Sequence, residues 1–184
     1  MKNTSLALIG VFALILGACG TKDAAQASSS EVEKLSLESV ERAHRVGDIV
    51  MTSQPKDADF SELKNKFNIK TVVNLRLPTE IADLNEPQRV RDLGLVYENI
   101  AFKGPETLSD QIFADVRTTL KDKSRQPLVL HCKSANRVGA VWYAFRVLDQ
   151  GISKEQAMAE AKTIGLRKEG HIKRAQDYVD KKLR

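Results

Sequence analysis

The stretch PLVLHCKSANRVGA, residues 127–140, joins an apolar run to a polar turn and then to the start of a helical pattern. Leu128, Val129 and Leu130 form a short, unbroken apolar segment, which is how a strand buried on both faces reads. From Arg137 the apolar residues continue through VGAVWYAFRVLDQ to Gly151, a helix with a glycine stop. A buried strand that feeds a helix through a short turn belongs to an α/β unit with a parallel sheet. In such sheets ligands bind at the carboxyl ends of strands, so the turn at Cys132 is where chemistry is expected.

The same alternation runs outward in both directions. DIVMTSQP at 48–55 reads as a strand ending at Pro55, and Phe60, Leu63 and Phe67 then keep helical spacing, with Asp57 or Asp59 as cap. IKTVVNLR at 69–76 is β-branched and short, a buried strand. A helix around Glu86 to Leu93 stops at Gly94, and LVYENI supplies the next strand. The breaker-rich loop AFKGPETLSD leads to a helix marked by Ile112, Phe113, Val116 and Leu120. After Gly151, SKEQ at 153–156 reads as a capping box for the helix that holds Ala157, Ala161 and Ile164. A last helix runs from about His171 to Leu183. The expected fold class is therefore α/β, three layers, with a mainly parallel sheet and helices on both faces. Phe60, Phe67, Trp142, Tyr143, Phe145 and Val147 are assigned to its core.

The N-terminus is of another kind. Lys2 precedes eleven apolar or small residues from Leu6 to Leu16 and then LGAC, ending at Cys19. That run is too short for a bilayer span of about 20 residues. It reads as a secretory signal over 1–19. LGAC resembles the lipobox of bacterial lipoproteins, which implies a lipidated Cys19, anchorage in the cell envelope and a domain facing the periplasm; a plain signal peptide cut nearby is the alternative. Residues 20–34, small and polar without periodicity, read as a flexible tether. Residues 35–184 then make one domain.

Charge excludes little. The formal net charge of +5 falls to +4 once Lys2 leaves with the signal. The segment from Leu166 onward is basic, which reads first as a solvated helix face. No basic stripe is interleaved with aromatics, so nucleic acid is not an expected partner. His44 and His171 have no carboxylate or cysteine at ligand spacing, and no metal or other cofactor is expected.

The chain has two cysteines, and with Cys19 in the signal Cys132 has no disulfide partner. An exposed free thiol in an oxidising compartment is a liability unless it is used. Cys132 stands at the end of a strand and before a helix, whose N-terminus offers unpaired amides and partial positive charge to an anion. The four residues Lys133, Ser134, Ala135 and Asn136 can turn their amides inward as a nest, and Arg137 adds a planar fork for two anion oxygens. The thiol is then aimed at the bound group as a nucleophile. His131 points to the other side of the strand and reads as a brace. Asn136 is the candidate for a left-handed backbone. Ser134 either donates to the anion or caps the helix. Arg76 is expected to pair with Glu80, and Lys103 and Lys133 are either part of the local positive field or ordinary surface lysines.

HC, a short polar loop and an arginine at a helix start resemble the active loop of the protein tyrosine phosphatase superfamily. TSQP and IKTVVNLRLPTE are similar to the early strands of its dual-specificity-like branch. Within it the likeness is to the bacterial phosphatase-like domain sometimes fused to β-lactamase-like hydrolases, over most of residues 44–170. The resemblance implies a phosphatase-like fold, with Cys132 as nucleophile and Arg137 and loop residues 133–137 as phosphate holders. It also implies a phosphorylated small molecule or phosphoprotein as substrate. Three departures stand out. Four residues separate Cys132 from Arg137 where the family has five, a spacing found in rhodanese-like sulfurtransferases. Val138 replaces the usual Ser or Thr. No aspartate stands where the family places its general acid, which leaves Glu106 or Asp110 for that role. The alternatives are a sulfurtransferase with a Cys132 persulfide and a non-catalytic anion-binding lipoprotein.

Overall fold

Every apolar run expected to be a strand pairs into one sheet. The computed structural model describes residues 31–184, so the signal, Cys19 and the tether up to residue 30 lie outside the described residues. In chain order the elements are β1 (Glu33–Lys34), β2 (Ala43–Val46), β3 (Ile49–Thr52), α1 (Asp57–Phe67), β4 (Thr71–Asn74), α2 (Glu86–Asp92), β5 (Val96–Asn99), α3 (Asp110–Lys121), β6 (Leu128–His131), α4 (Asn136–Gln150), α5 (Lys154–Ile164) and α6 (Glu169–Leu183). The strand order is β1-β2-β3-β6-β4-β5. The β3, β6, β4 and β5 neighbours run parallel, and β1 and β2 add an antiparallel edge. Two features differ from expectation. Glu33 and Lys34, the last two residues of the segment read as a tether, pair with Arg45 and His44. The polar strand β2 escaped notice because AHRV carries no clear alternation.

Strand parity distributes the core into two layers. Val50, Val72 and Val129 point to one face, where Phe60 and Leu63 of α1 and Val90 of α2 cover them. Met51, Val73, Leu128 and Leu130 point to the other, against Phe113 and Val116 of α3, Val141 and Trp142 of α4, and Ala161 and Tyr178 of α5 and α6. Helices on both faces give the three-layer α/β class. Period-two alternation along β6 then places His131 on the α1 face and Cys132 on the α4 face.

Local chemistry sets the helix ends. The first helix is capped differently from expectation: Lys56 is the N-cap, and Asp59 accepts from its amide at 2.7 Å and from the Ser39 amide at 3.1 Å. Ser153 caps α5 by accepting from the Gln156 amide at 3.2 Å, and Gly151 ends α4 with φ of 66°. Among the described residues, no helix is long and apolar enough to cross a membrane.

Close approach of α4 to the end of α5 fixes where α6 begins. A Cβ on Gly139 would lie 2.7 Å from Leu166 Cβ and 2.8 Å from the Ala161 carbonyl oxygen. Gly139→Ala is therefore expected to destabilise the domain by about 1–3 kcal/mol, as overpacking does. Urea unfolding measures this, and an unchanged midpoint would show that the two helices can part freely.

Candidate active site

The strand β6 ends at His131, and Cys132 opens the loop to α4. The backbone leaves the sheet there under two restraints: the Leu75 amide donates to the His131 carbonyl at 3.0 Å, and the Gln54 amide to the Lys133 carbonyl at 3.3 Å. Ala135 then takes a left-handed conformation, φ of 62°, and α4 starts at Asn136. The first amide of this segment to return to the chain is that of Gly139, which donates to the Ala135 carbonyl at 2.9 Å. Among the described residues, the amides of Ser134, Ala135, Asn136 and Arg137 have no intramolecular acceptor. Unspent helix-start amides beside a thiol make a site for an anion.

Cys132 is 1 % exposed, yet it contributes to the wall of a small cavity of about 190 Å³ together with Lys133, Ser134, Asn136 and Arg137. Arg137 is itself buried and strongly held. Its Nη1 donates to Glu80 Oε2 at 2.8 Å and to the carbonyls of Phe102 at 2.6 Å and Leu75 at 3.1 Å. Its Nη2 donates to Glu80 Oε1 at 2.8 Å. Burial opposes the guanidinium charge, but the Glu80 hydrogen bonds and the charge that Cys132 can carry hold its pKa above the ordinary value. Its Nε–H is not spent on any of these four acceptors.

A second layer holds the loop. Asn136 Oδ1 accepts from the amides of Arg167 and Lys168, both at 2.9 Å, which ties the start of α4 to the connection between α5 and α6. Gly165 backs the loop so closely that a Cβ there would lie 2.9 Å from Ala135 Cβ. Behind β6, His131 Nε2 lies 3.2 Å from the buried Glu86 carboxylate, and its ring meets Phe60 edge-on. Asn74 and Gln54 each donate to Glu86 at 2.6 Å. Burial pushes the Glu86 carboxyl up, but the neighbouring His131 ring and the hydrogen bond from Gln54 bring it below its ordinary value. His131 thus lies behind β6, on the side away from Cys132, and since neither of its ring nitrogens has a hydrogen-bond partner among the described residues it supports the loop by packing rather than by the hydrogen bonding expected of it.

The sequence-predicted residues fall into three groups. Cys132, Lys133, Ser134, Asn136 and Arg137 meet at the cavity, and Lys103 joins them. Ala135 is buried within the loop and takes the left-handed backbone expected of Asn136, which is instead the first residue of α4 with its side chain accepting from the amides before α6. Ser134 does not cap α4, whose N-cap is Ala135. Asp110 is not available as an acid: Arg174 at 2.6 Å and Lys181 at 2.8 Å engage both its oxygens and lower its pKa. Glu106 sits on an exposed turn, with its carboxylate over Gly104 and its charge felt by His171. Glu80 contacts Arg76 as expected, with Arg76 Nη2 donating to its carbonyl at 2.5 Å, but its carboxylate is committed to Arg137. Sequence reading missed Glu80, Lys168 and His171 as cavity residues. Among the described residues, no group of three His, Cys, Asp or Glu side chains could hold a metal ion.

Solved structures share this arrangement of chain. TpbA of P. aeruginosa superposes with a TM-score of 0.65 at 19 % identity, over 84 % of this chain and 91 % of that one. The chain has the fold of these phosphatase-like proteins. The catalytic domain of the PP-IP phosphatase SIW14 from S. cerevisiae gives 0.62 at 18 % identity, over 74 % of this chain and 84 % of its own. A DUF442 protein from Shewanella putrefaciens gives 0.64 at 16 % identity, over 78 % and 94 %. No protein-family model and no curated protein sequence matches the chain.

The Arg137 hydrogen bonds are the main reason the Glu80 carboxyl is held at about 2, below its ordinary 4.5. A carboxylate depressed on folding adds stability that is complete above its unfolded pKa and is lost as pH falls toward the folded one. The stability gap between wild type and Glu80→Gln should therefore be full above pH 4.5 and shrink between 4.5 and about 2. Urea unfolding across that range measures it; a gap independent of pH would contradict the pairing.

Proposed function

We propose that the chain is a cysteine-dependent phosphatase that cleaves a phosphomonoester through a phosphocysteine. The observation that carries this reading is the convergence of Cys132, Arg137 and unspent loop amides on one cavity, with Lys103, Lys133 and Lys168 at its wall. Four cations against Glu80, which is already paired, suit a dianion. The Cys132 sulfur attacks phosphorus as the ester oxygen departs with its electron pair. The loop amides and Arg137 Nε–H hold the equatorial oxygens, where charge gathers in the transition state. Water then displaces the sulfur and releases phosphate. Glu106 is the carboxyl group left to protonate the departing oxygen, since Glu80 and Asp110 are both ion-paired, and the carboxylate so formed takes the proton of the attacking water.

The solved neighbours support a phosphorylated ligand: TpbA has been seen in complex with pTyr, and SIW14 is named for PP-IP. The family resemblance of HCKSANR adds to this, while Val138 leaves the second step without the usual hydroxyl. The same reading keeps the domain on a lipid anchor at Cys19, in the cell envelope facing the periplasm, on the strength of LGAC. Labelled palmitate would then enter the wild type and not Cys19→Ala.

The test is turnover of an aryl phosphate. Wild type should release phosphate, Cys132→Ser should fall to the background, and Arg137→Lys should lose about 10²–10³-fold in kcat, as loss of oxyanion donors does. Equal rates in wild type and Cys132→Ser would sink the reading. Thiocyanate made from thiosulfate and cyanide in its place would assign the thiol to sulfur transfer.

A further inference from the structure

The pole of the sheet opposite Cys132 holds a second cleft, of about 320 Å³, between the turn from β2 to β3, the end of α3 and the second half of α4. Its place follows from strand direction. The strand β6 delivers Cys132 at its carboxyl end, and at its amino end the Leu128 amide donates to the carbonyl of Asp48, a residue of the cleft wall, at 2.9 Å. Leu120, Trp142 and Phe145 give the cleft an apolar side, with the two aromatic rings 5.5 Å apart. Lys121 and Lys123 stand at its exposed rim, and Asp48 is the carboxylate among the residues that line it. Lys121 is paired to Asp149 at 3.0 Å, whereas Lys123 donates to the neutral Gln126 side chain at 3.0 Å. An apolar pocket with a few placed polar groups is the usual form of a small-molecule site.

The polar group that matters here is Arg146. It is 2 % exposed, yet it lines the cleft. Glu160 of α5 takes one edge of its guanidinium, accepting from Nε at 2.7 Å and from Nη2 at 2.9 Å. Trp142 fixes the same group twice, with its ring 5.5 Å from the guanidinium carbon and its indole N–H donating to Glu160 at 3.2 Å. The opposite corner, Nη1, has no acceptor among the described residues. Unlike Arg76 Nε, this nitrogen is not shut off from solvent, so it opens on the cleft. A structural tie between α4 and α5 needs only the edge that Glu160 occupies. The free corner is a pair of donors held rigid in a low-dielectric wall, where a charged acceptor gains most.

We propose that this cleft binds a small molecule with one carboxylate and an apolar body, the carboxylate accepting from Arg146 Nη1 and the body lying against Trp142 and Phe145. Lys123 adds attraction at the rim. Asp48 opposes a second negative group and so selects a monoanion over a polyanion. The site is independent of the phosphatase reading, since it shares no residue with the Cys132 cavity.

Trp142 is the one tryptophan of the chain, so its fluorescence reports occupancy directly. Hexanoate should change that emission and saturate below about 10 mM. Hexanamide, of the same shape without the charge, should bind at least about tenfold more weakly. Arg146→Lys keeps a cation for Glu160 but lacks the Nη1 corner; it should weaken hexanoate by about tenfold and narrow the gap between the two ligands. Where that variant fails to fold, Lys123→Gln on the exposed rim should still weaken hexanoate by about twofold to fivefold. Inorganic phosphate, a probe for the Cys132 cavity, should not displace hexanoate. The absence of a saturable change would overturn the proposal, as would equal affinity for hexanoate and hexanamide. An affinity that neither variant alters, or displacement by phosphate, would overturn it as well.

Discussion

A buried guanidinium has to be paired, and the way Arg137 meets that demand organises the carboxyl end of the sheet. Its two terminal nitrogens reach the Leu75 carbonyl just past β4, the Phe102 carbonyl past β5, and the Glu80 carboxylate on the turn between β4 and α2. Because β6, β4 and β5 are neighbours in the sheet, one cation at the head of α4 gathers the ends of three strands. The cavity beside Cys132 is what that gathering leaves open. Arg137 therefore joins the fold to the site, since the contacts that neutralise it also fix the edge facing the thiol.

The site is unevenly equipped. On the anion side it has unspent amides, Arg137 Nε–H and lysines from three separate segments, Lys103, Lys133 and Lys168. On the proton side it has little: Asp110 is held by Arg174 and Lys181, Glu80 by Arg137, and a valine follows the arginine. On the proposed phosphatase reading, strong binding of charge combined with scarce proton transfer favours substrates whose leaving group departs without much help.

Much of this was legible in the sequence because apolar periodicity reports what a residue faces. The central strands and the helices α3, α4 and α5 announced themselves that way, and parity along PLVLHC put His131 and Cys132 on opposite faces. What escaped had no such signal. The edge strand β1 is two exposed residues, and β2, paired with β1 on one side and β3 on the other, is four residues long with no apolar run to announce it. Glu80 stands four residues from Arg76, and that local spacing hid a partner 57 positions away. The left-handed residue was expected at Asn136 because asparagine tolerates it, yet Asn136 is needed to hold the Arg167 and Lys168 amides, so Ala135 takes the strain. His171 was within reach of a topological argument. The helix α4 leads away from the site and α5 returns, so the residues that open α6 must lie level with Cys132.

The central claim is that the Cys132 sulfur bonds to phosphorus. Rapid acid quench of the full-length protein during turnover of an aryl phosphate, followed by mass analysis of the peptide containing Cys132, tests it most directly. The account predicts a phosphate on the Cys132 sulfur, removed on further incubation. Release of aryl alcohol with Cys132 unmodified throughout, or a phosphate found on another side chain, would contradict it.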